Sequence, residues 1–177
     1  VIGPRTLHHE PEAEIASWKG VERALVFPTG YAANLGVLQV LGHEQATIFS
    51  DELNHASLID GWRLAKARKV VFRHNDMEHL SSLMRASEGM KIVVTEAVFS
   101  MDGDRAPLDS LLQISIDHDA LLIVDEAHAL LSSLPKSDYP GYLRIGTLSK
   151  TLGALGGWVA GPRSLIDLLI NRARERR

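Results

Sequence analysis

The 177-residue sequence contains no cysteine, which excludes disulfide bonds and thiolate metal sites. No apolar run approaches the roughly 18 residues that a membrane-spanning helix needs, so no span is expected. Neither sign of charge dominates. With 19 basic and 22 acidic residues the net charge is −3, and neither nucleic acid nor a membrane surface is expected as a partner. The one local bias is the tail Asn171-Arg172-Ala173-Arg174-Glu175-Arg176-Arg177, which reads as a solvated helix end. No secretory signal follows Val1, and the cytoplasm is the expected location. Internal repeats and low-complexity tracts are missing too. No H-E-x-x-H or comparable spacing joins His55, His74, His79 or His128, so no metal site is expected.

What is present is an ordinary globular composition, 45% hydrophobic and 23% charged, in a chain long enough to bury a core. Short apolar runs alternate with helical patterns. Strands are expected at Ala24 to Phe27, Thr47 to Ser50, Val70 to Phe72, Ile92 to Thr95, Leu121 to Val124, Leu143 to Gly146 and Trp158 to Ala160. Helices are expected from Glu10-Pro11-Glu12, over Gly30 to Leu41, over 55–66 and 76–86, from Pro107, and over Ser164 to Arg174. The irregular stretch is Ser132 to Gly141. Such alternation predicts an α/β fold, a mostly parallel sheet with helices on both faces. Ligands of such sheets bind at the carboxyl ends of the strands.

Four stretches carry chemistry. Asp125-Glu126-Ala127-His128 follows the apolar run Leu121 to Val124 and spells the acidic motor box of a class of helicases. That reading needs a phosphate loop of the form G-x-x-x-x-G-K-[ST], but Ser149 stands before Lys150-Thr151 where a glycine is required. Asp125 is instead a carboxylate at a dry strand end, which needs a positive partner. Gly146 to Gly157 surrounds Lys150 with glycines and hydroxyls, a setting for a surface lysine or for a Schiff-base amine. Phe27-Pro28-Thr29-Gly30-Tyr31 passes from strand to helix through a glycine, and free N–H groups there suit a phosphate. Asn54-His55-Ala56-Ser57 puts a histidine near a helix start. A phosphate cradle, an amine, an acid for a ring nitrogen and a flat ring partner together match the needs of pyridoxal phosphate.

The chain resembles the α-oxoamine synthases, pyridoxal-phosphate enzymes of the aspartate-aminotransferase fold (fold type I). The resemblance runs along essentially the whole sequence, through Phe27 to Asn34, Asn54 to Ser57, Val98-Phe99-Ser100-Met101-Asp102-Gly103-Asp104, Asp125 to His128 and Gly146 to Lys150. It implies a helical lead-in over residues 1–20 and a cofactor-binding large domain over 21–177. It implies that Lys150 bears the cofactor and moves the substrate's α-proton, that Asp125 keeps the pyridine nitrogen protonated, that His128 bonds the ring's phenolic oxygen, and that His55 stacks on the ring. Thr29, Gly30, Tyr31, Ser100 and Thr147 complete the implied cofactor contacts. His8 matches a family histidine ahead of the first helix. The implied reaction condenses an amino acid with an acyl-CoA or acyl-carrier-protein thioester, with decarboxylation, in a homodimer. The stretches Ala32 to Val37, Arg73 to Leu80 and Asp104 to Leu108 look most like the branch that joins L-alanine to a pimeloyl thioester, the 8-amino-7-oxononanoate synthases of biotin biosynthesis.

The sequence also departs from the family's pattern. Segments that family members carry before Val1 and after Arg177 are not in it. Only 25 positions separate Asp125 from Lys150, and Ala129-Leu130-Leu131-Ser132-Ser133 stands where a glycine-rich loop is usual. Three alternatives follow: another α-oxoamine synthase (5-aminolevulinate synthase, 2-amino-3-ketobutyrate CoA ligase or serine palmitoyltransferase), a different enzyme of the same fold such as a threonine aldolase, and a non-catalytic dimerisation partner. The stretch Phe99 to Asp104 argues against the second, and the presence of Lys150 against the third.

Overall fold

The computed structural model describes residues 6–129, 132, 134–150 and 153–172, with side chains described from Glu10 onward. The elements in chain order are α1 (Thr6–Lys19), β1 (Arg23–Phe27), α2 (Gly30–Leu41), β2 (Ala46–Asp51), α3 (Ala56–Leu64), β3 (Arg68–Phe72), α4 (Met77–Arg85), β4 (Met90–Glu96), α5 (Leu108–Asp117), β5 (Leu121–Asp125), β6 (Tyr142–Thr147), β7 (Gly157–Gly161) and α6 (Arg163–Arg172). The strands form one sheet in the order β1-β7-β6-β5-β4-β2-β3. Neighbours from β6 through β3 run parallel, and β7 runs antiparallel to both β6 and β1. This is the expected α/β architecture.

The central strands read as continuous apolar runs because helices cover both faces. Successive side chains alternate between the faces. Ile92, Val94, Ile123 and Ile145 point to the face covered by α2, α3 and α6, where Val37, Leu38, Leu58 and Ile166 meet them. Val93, Leu122 and Val124 point to the opposite face, covered by α4 and α5 through Leu80, Met84 and Leu111. On that second face α1 covers β1 and β7, through Ile15 and Ala16 against Ala24, Trp158 and Ala160.

Two helix starts show side-chain capping by threonine or aspartate. Thr29 Oγ1 accepts the Ala32 N–H at 3.0 Å at the head of α2, and Asp76 Oδ1 accepts the His79 N–H at 2.8 Å at the head of α4. One start differs from the sequence expectation. Helix α1 begins at Thr6, not at Glu10, and holds Pro11 in its interior. Proline lacks the N–H that would bond back one turn. The helix is anchored downstream instead, where Ile15 and Ala16 are buried and Glu12 Oε1 accepts the Val26 N–H of β1 at 3.2 Å. His8 therefore lies within α1 and not ahead of it, and its side chain is outside the described residues. The positions 130, 131, 133 and 173–177 of the replaced loop and the basic tail are also outside them.

Behind the sheet, on the α1 face, sits a buried ionic cluster. Glu126 accepts from Lys19 Nζ at 2.7 Å and from Arg144 Nε, and the Lys19 carbonyl accepts from Arg144 Nη1 at 3.0 Å. The Lys19 ammonium lies 4.0 Å from the Trp18 ring centre and 4.7 Å from that of Trp158.

Candidate active site

Three neighbouring parallel strands end side by side in Glu96 of β4, Asp125 of β5 and Thr147 of β6. Glu96 and Asp125 are register partners and project to the α2 face. The first turns of α2 and α3 end above them, and the loop after β6 brings Lys150. Together they enclose a cleft of about 230 Å³. It lies at the carboxyl ends of the strands, where α/β sheets bind ligands.

Asp125 is held from two sides. Its Oδ2 accepts from Asn34 Nδ2 at 2.8 Å and its Oδ1 from the Ala127 N–H at 2.8 Å. Burial pushes its carboxyl up, against the pull of those donors and of Lys150. The same Asn34 amide donates to Ser57 Oγ at 2.9 Å, and Ser57 Oγ lies 2.8 Å from His55 Nδ1. His55 caps α3, its Nδ1 accepting the Ser57 N–H at 3.2 Å. Glu96 Oε1 accepts the His55 N–H at 2.6 Å. Burial, with the neighbouring Asp125 charge, raises the Glu96 carboxyl to about 7.

On the other wall, Lys150 Nζ stands 2.6 Å from His128 Nε2. Burial and that ammonium hold the His128 imidazole below its usual range, which suits it to accept from the lysine. Thr147 Oγ1 is 2.8 Å from Ser149 Oγ and bonds the Gly156 carbonyl at 3.1 Å. The leading N–H groups of α2, at Gly30 and Tyr31, open onto the cleft without partners inside the helix. Close packing fixes that turn. A Cβ on Gly157 would stand 2.4 Å from the Thr29 carbonyl oxygen and 2.5 Å from the Gly30 nitrogen. Tyr31 itself turns outward, its hydroxyl donating to Asp60 Oδ2 at 3.0 Å.

Eight of the residues singled out from sequence line this one cleft: Thr29, Gly30, Tyr31, His55, Asp125, His128, Thr147 and Lys150. Ser100 does not line it. It is exposed in the turn after β4, and its backbone N–H bonds Glu96. Sequence reasoning missed Asn34, Ser57, Glu96 and Ser149, which line the cleft too. Asn34 and Ser57 stood inside stretches already quoted, and a polar residue one turn along an apolar helix was the available signal. Glu96 directly ends an apolar strand, as Asp125 does.

The donor set fits pyridoxal phosphate. An open helix N-terminus flanked by the Thr147 and Ser149 hydroxyls suits a phosphate, Asp125 suits a ring nitrogen, and the Lys150 amine stands in the same cleft.

Comparison with known proteins agrees. The chain is 46% identical to a putative 8-amino-7-oxononanoate synthase of Syntrophotalea carbinolica, over 99% of this chain and 48% of that protein. It is 45% identical to the 8-amino-7-oxononanoate synthase of Alkalilimnicola ehrlichii, over 98% of this chain and 47% of that one. The chain thus spans about half the length of the curated relatives it matches. Among solved structures, Sphingomonas wittichii serine palmitoyltransferase superposes with a TM-score of 0.87 at 33% identity, covering 98% of this chain and 46% of that one. The Francisella tularensis 8-amino-7-oxononanoate synthase superposes with a TM-score of 0.79 at 28% identity, covering 99% and 54%. The model of aminotransferase class I and II matches residues 1–175, and the chain belongs to that family of pyridoxal-phosphate enzymes.

Proposed function

We propose that the protein acts as an α-oxoamine synthase, a pyridoxal-phosphate-dependent acyltransferase that joins an amino acid to an acyl thioester with decarboxylation. L-Alanine and a pimeloyl thioester, giving 8-amino-7-oxononanoate, are the substrates we favour. The observation that carries the reading is the shared cleft, in which the Lys150 amine and the buried Asp125 carboxylate flank the open first turn of α2. Identities of 46% and 48% to relatives named for that reaction support the substrate choice.

The bound cofactor supplies a ring that stabilises a carbanion next to nitrogen. Each side chain then has a task. The amine of Lys150 would hold the cofactor, and it is the group placed to move the substrate's α-proton. Asp125 holds a proton on the ring nitrogen, and a cation there offsets the burial that raises its carboxyl. His128 would hydrogen-bond the ring's phenolic oxygen. His55, capping α3 at the cleft wall, would face the ring and help orient the substrate. The helix start at Gly30 and Tyr31, with Thr29 and Thr147, takes the phosphate. Ser100 acts one step removed, by holding Glu96. In the same proposal residues 21–177 are the cofactor-binding large domain and 1–20 its helical lead-in. In that proposal the enzyme also works as a homodimer in the cytoplasm.

A second reading, serine palmitoyltransferase, has the higher TM-scores in its favour. The test for both is visible absorption of the purified protein with pyridoxal phosphate, then borohydride reduction and peptide mapping. A band trapped on Lys150 is expected. No band, or label elsewhere, overturns the assignment. Perturbation of the band by L-alanine more than by L-serine supports the first reading, and the reverse order supports the second.

A further inference from the structure

Two positioning residues stand behind His55, and neither is part of the cofactor assignments above. Asn34 is 2% and Ser57 3% exposed. The Asn34 amide nitrogen has two hydrogens and uses both, one toward Asp125 Oδ2 at 2.8 Å and one toward Ser57 Oγ at 2.9 Å. The opposite orientation of the amide would set its carbonyl oxygen against a carboxylate oxygen. The orientation present leaves Asn34 Oδ1 buried with no partner among the described residues, so the two donor bonds decide it.

The polarity then propagates. Ser57 Oγ receives a hydrogen from Asn34, so its own hydrogen is free for His55 Nδ1 at 2.8 Å. A second donor converges on the same atom, because the Ser57 backbone N–H lies 3.2 Å from Nδ1 and can only donate. Nδ1 must therefore be bare, and the ring hydrogen of the neutral imidazole sits on Nε2.

We propose that Asn34 and Ser57 form a relay, oriented by Asp125, that locks His55 in the tautomer with its hydrogen on Nε2. The relay gives His55 a fixed N–H donor on the edge away from Ser57. It also ties that donor to Asp125, because the carboxylate is what orders the Asn34 amide. The inference rests on the reading of this cleft as the reaction site only for its purpose. The tautomer itself belongs to the protein without cofactor.

The test is the ring-nitrogen NMR spectrum of His55 in 15N-labelled protein without cofactor, assigned by loss of its signals in His55→Gln. The wild-type protein is expected to show an imine-type Nδ1 and a pyrrole-type Nε2. Ser57→Ala is expected to lower the tautomer ratio about five- to ten-fold, the effect of one hydrogen bond, and Ser57→Thr to restore it. Asn34→Ala should move the ratio the same way. A wild-type ring protonated on Nδ1, or a ratio unchanged in Ser57→Ala, overturns the relay. The wild-type spectrum decides even where a variant does not fold. Failure of Lys150 to trap pyridoxal phosphate would instead sink the function and leave the tautomer standing.

Discussion

Replacing Glu126 with glutamine isolates the weight of one buried carboxylate. Glu126 is fully buried, and the side chains of its partners Lys19 and Arg144 are 4% and 7% exposed. Glutamine keeps the shape and removes the charge, which leaves two cations facing one neutral amide. Breaking a buried pair by neutralising one partner costs about 3–5 kcal/mol, because the other charge stays desolvated. Here both Lys19 and Arg144 lose their counter-charge, so the upper half of that range is expected. For a chain of this size each kcal/mol moves the melting temperature by about 2–4 °C, so Glu126→Gln should melt roughly 8–20 °C below the parent. Lys19→Met is the control. The Glu126–Arg144 pair survives in it, and methionine packs against the indoles of Trp18 and Trp158. One carboxylate oxygen loses its donor, so about 1–3 kcal/mol is expected. Urea unfolding at pH 7 measures both, with an unchanged m-value required for the comparison. A Glu126→Gln cost below about 1 kcal/mol, or a Lys19→Met cost larger than the glutamine one, would refute the reasoning.

Three further outcomes follow, two from the cleft and its packing and one from an ion pair elsewhere in the fold. Burial and Asp125 raise the Glu96 carboxyl to about 7, so the folded protein holds that proton more tightly than the unfolded chain does. Its contribution to stability is full below the ordinary carboxyl range and is lost as pH rises through about 7, so Glu96→Gln should gain on the parent by about 3 kcal/mol between pH 4.5 and 8 in urea titrations. Burial opposes the charged form of His74, yet its hydrogen bonds to Asp51 at 2.9 Å and Asp104 at 2.7 Å raise its imidazole above the ordinary value of 6.5. That contribution is full below pH 6.5 and lost as pH rises through the folded value, so the stability gap between parent and His74→Gln should be wider at pH 5.5 than at pH 8.5. Gly157→Ala would press a methyl against the Thr29 and Gly30 backbone, and pyridoxal-phosphate affinity measured by absorbance titration should fall at least ten-fold.

Much of this was legible because the sheet is buried on both faces. Val93, Leu122, Val124 and their neighbours had to be apolar, and the runs they form mark the strands within a residue or two. The residues around Lys150 and Gly30 stood out because glycines and hydroxyls cluster where a chain must pass close to another. Pro11 misled, since its usual place is a helix start, and tertiary anchoring through Ile15 and Ala16 overrode that preference. Glu96, Asn34 and Ser57 carry only a weak local signature, a polar side chain at the end of an apolar strand or one turn along a helix. Their roles arise from register between β4 and β5 and from the approach of α2 to α3, both long-range facts.

The letters Asp125-Glu126-Ala127-His128 show why a four-residue motif misleads when it is read as one site. Adjacent residues on an extended backbone face opposite ways. Asp125 turns to the α2 face and meets Asn34, while Glu126 turns to the α1 face and binds Lys19 and Arg144. His128, past the strand end, returns to the cleft beside Lys150. The two acids therefore never share a ligand, and a magnesium ion gripped by both is excluded by geometry. Their adjacency has a different consequence. The Glu126 N–H bonds the Ile145 carbonyl at 2.7 Å, and its carboxylate pins Arg144 on the same neighbouring strand. The peptide that carries Asp125 into the cleft is thus clamped from behind. A variant that loosens Glu126 should disturb Asp125 as well as stability. In Glu126→Gln the pyridoxal-phosphate dissociation constant is expected to rise about ten-fold even in urea-free buffer, where the protein stays folded. An unchanged constant in a destabilised Glu126→Gln protein would show that the clamp holds the fold alone.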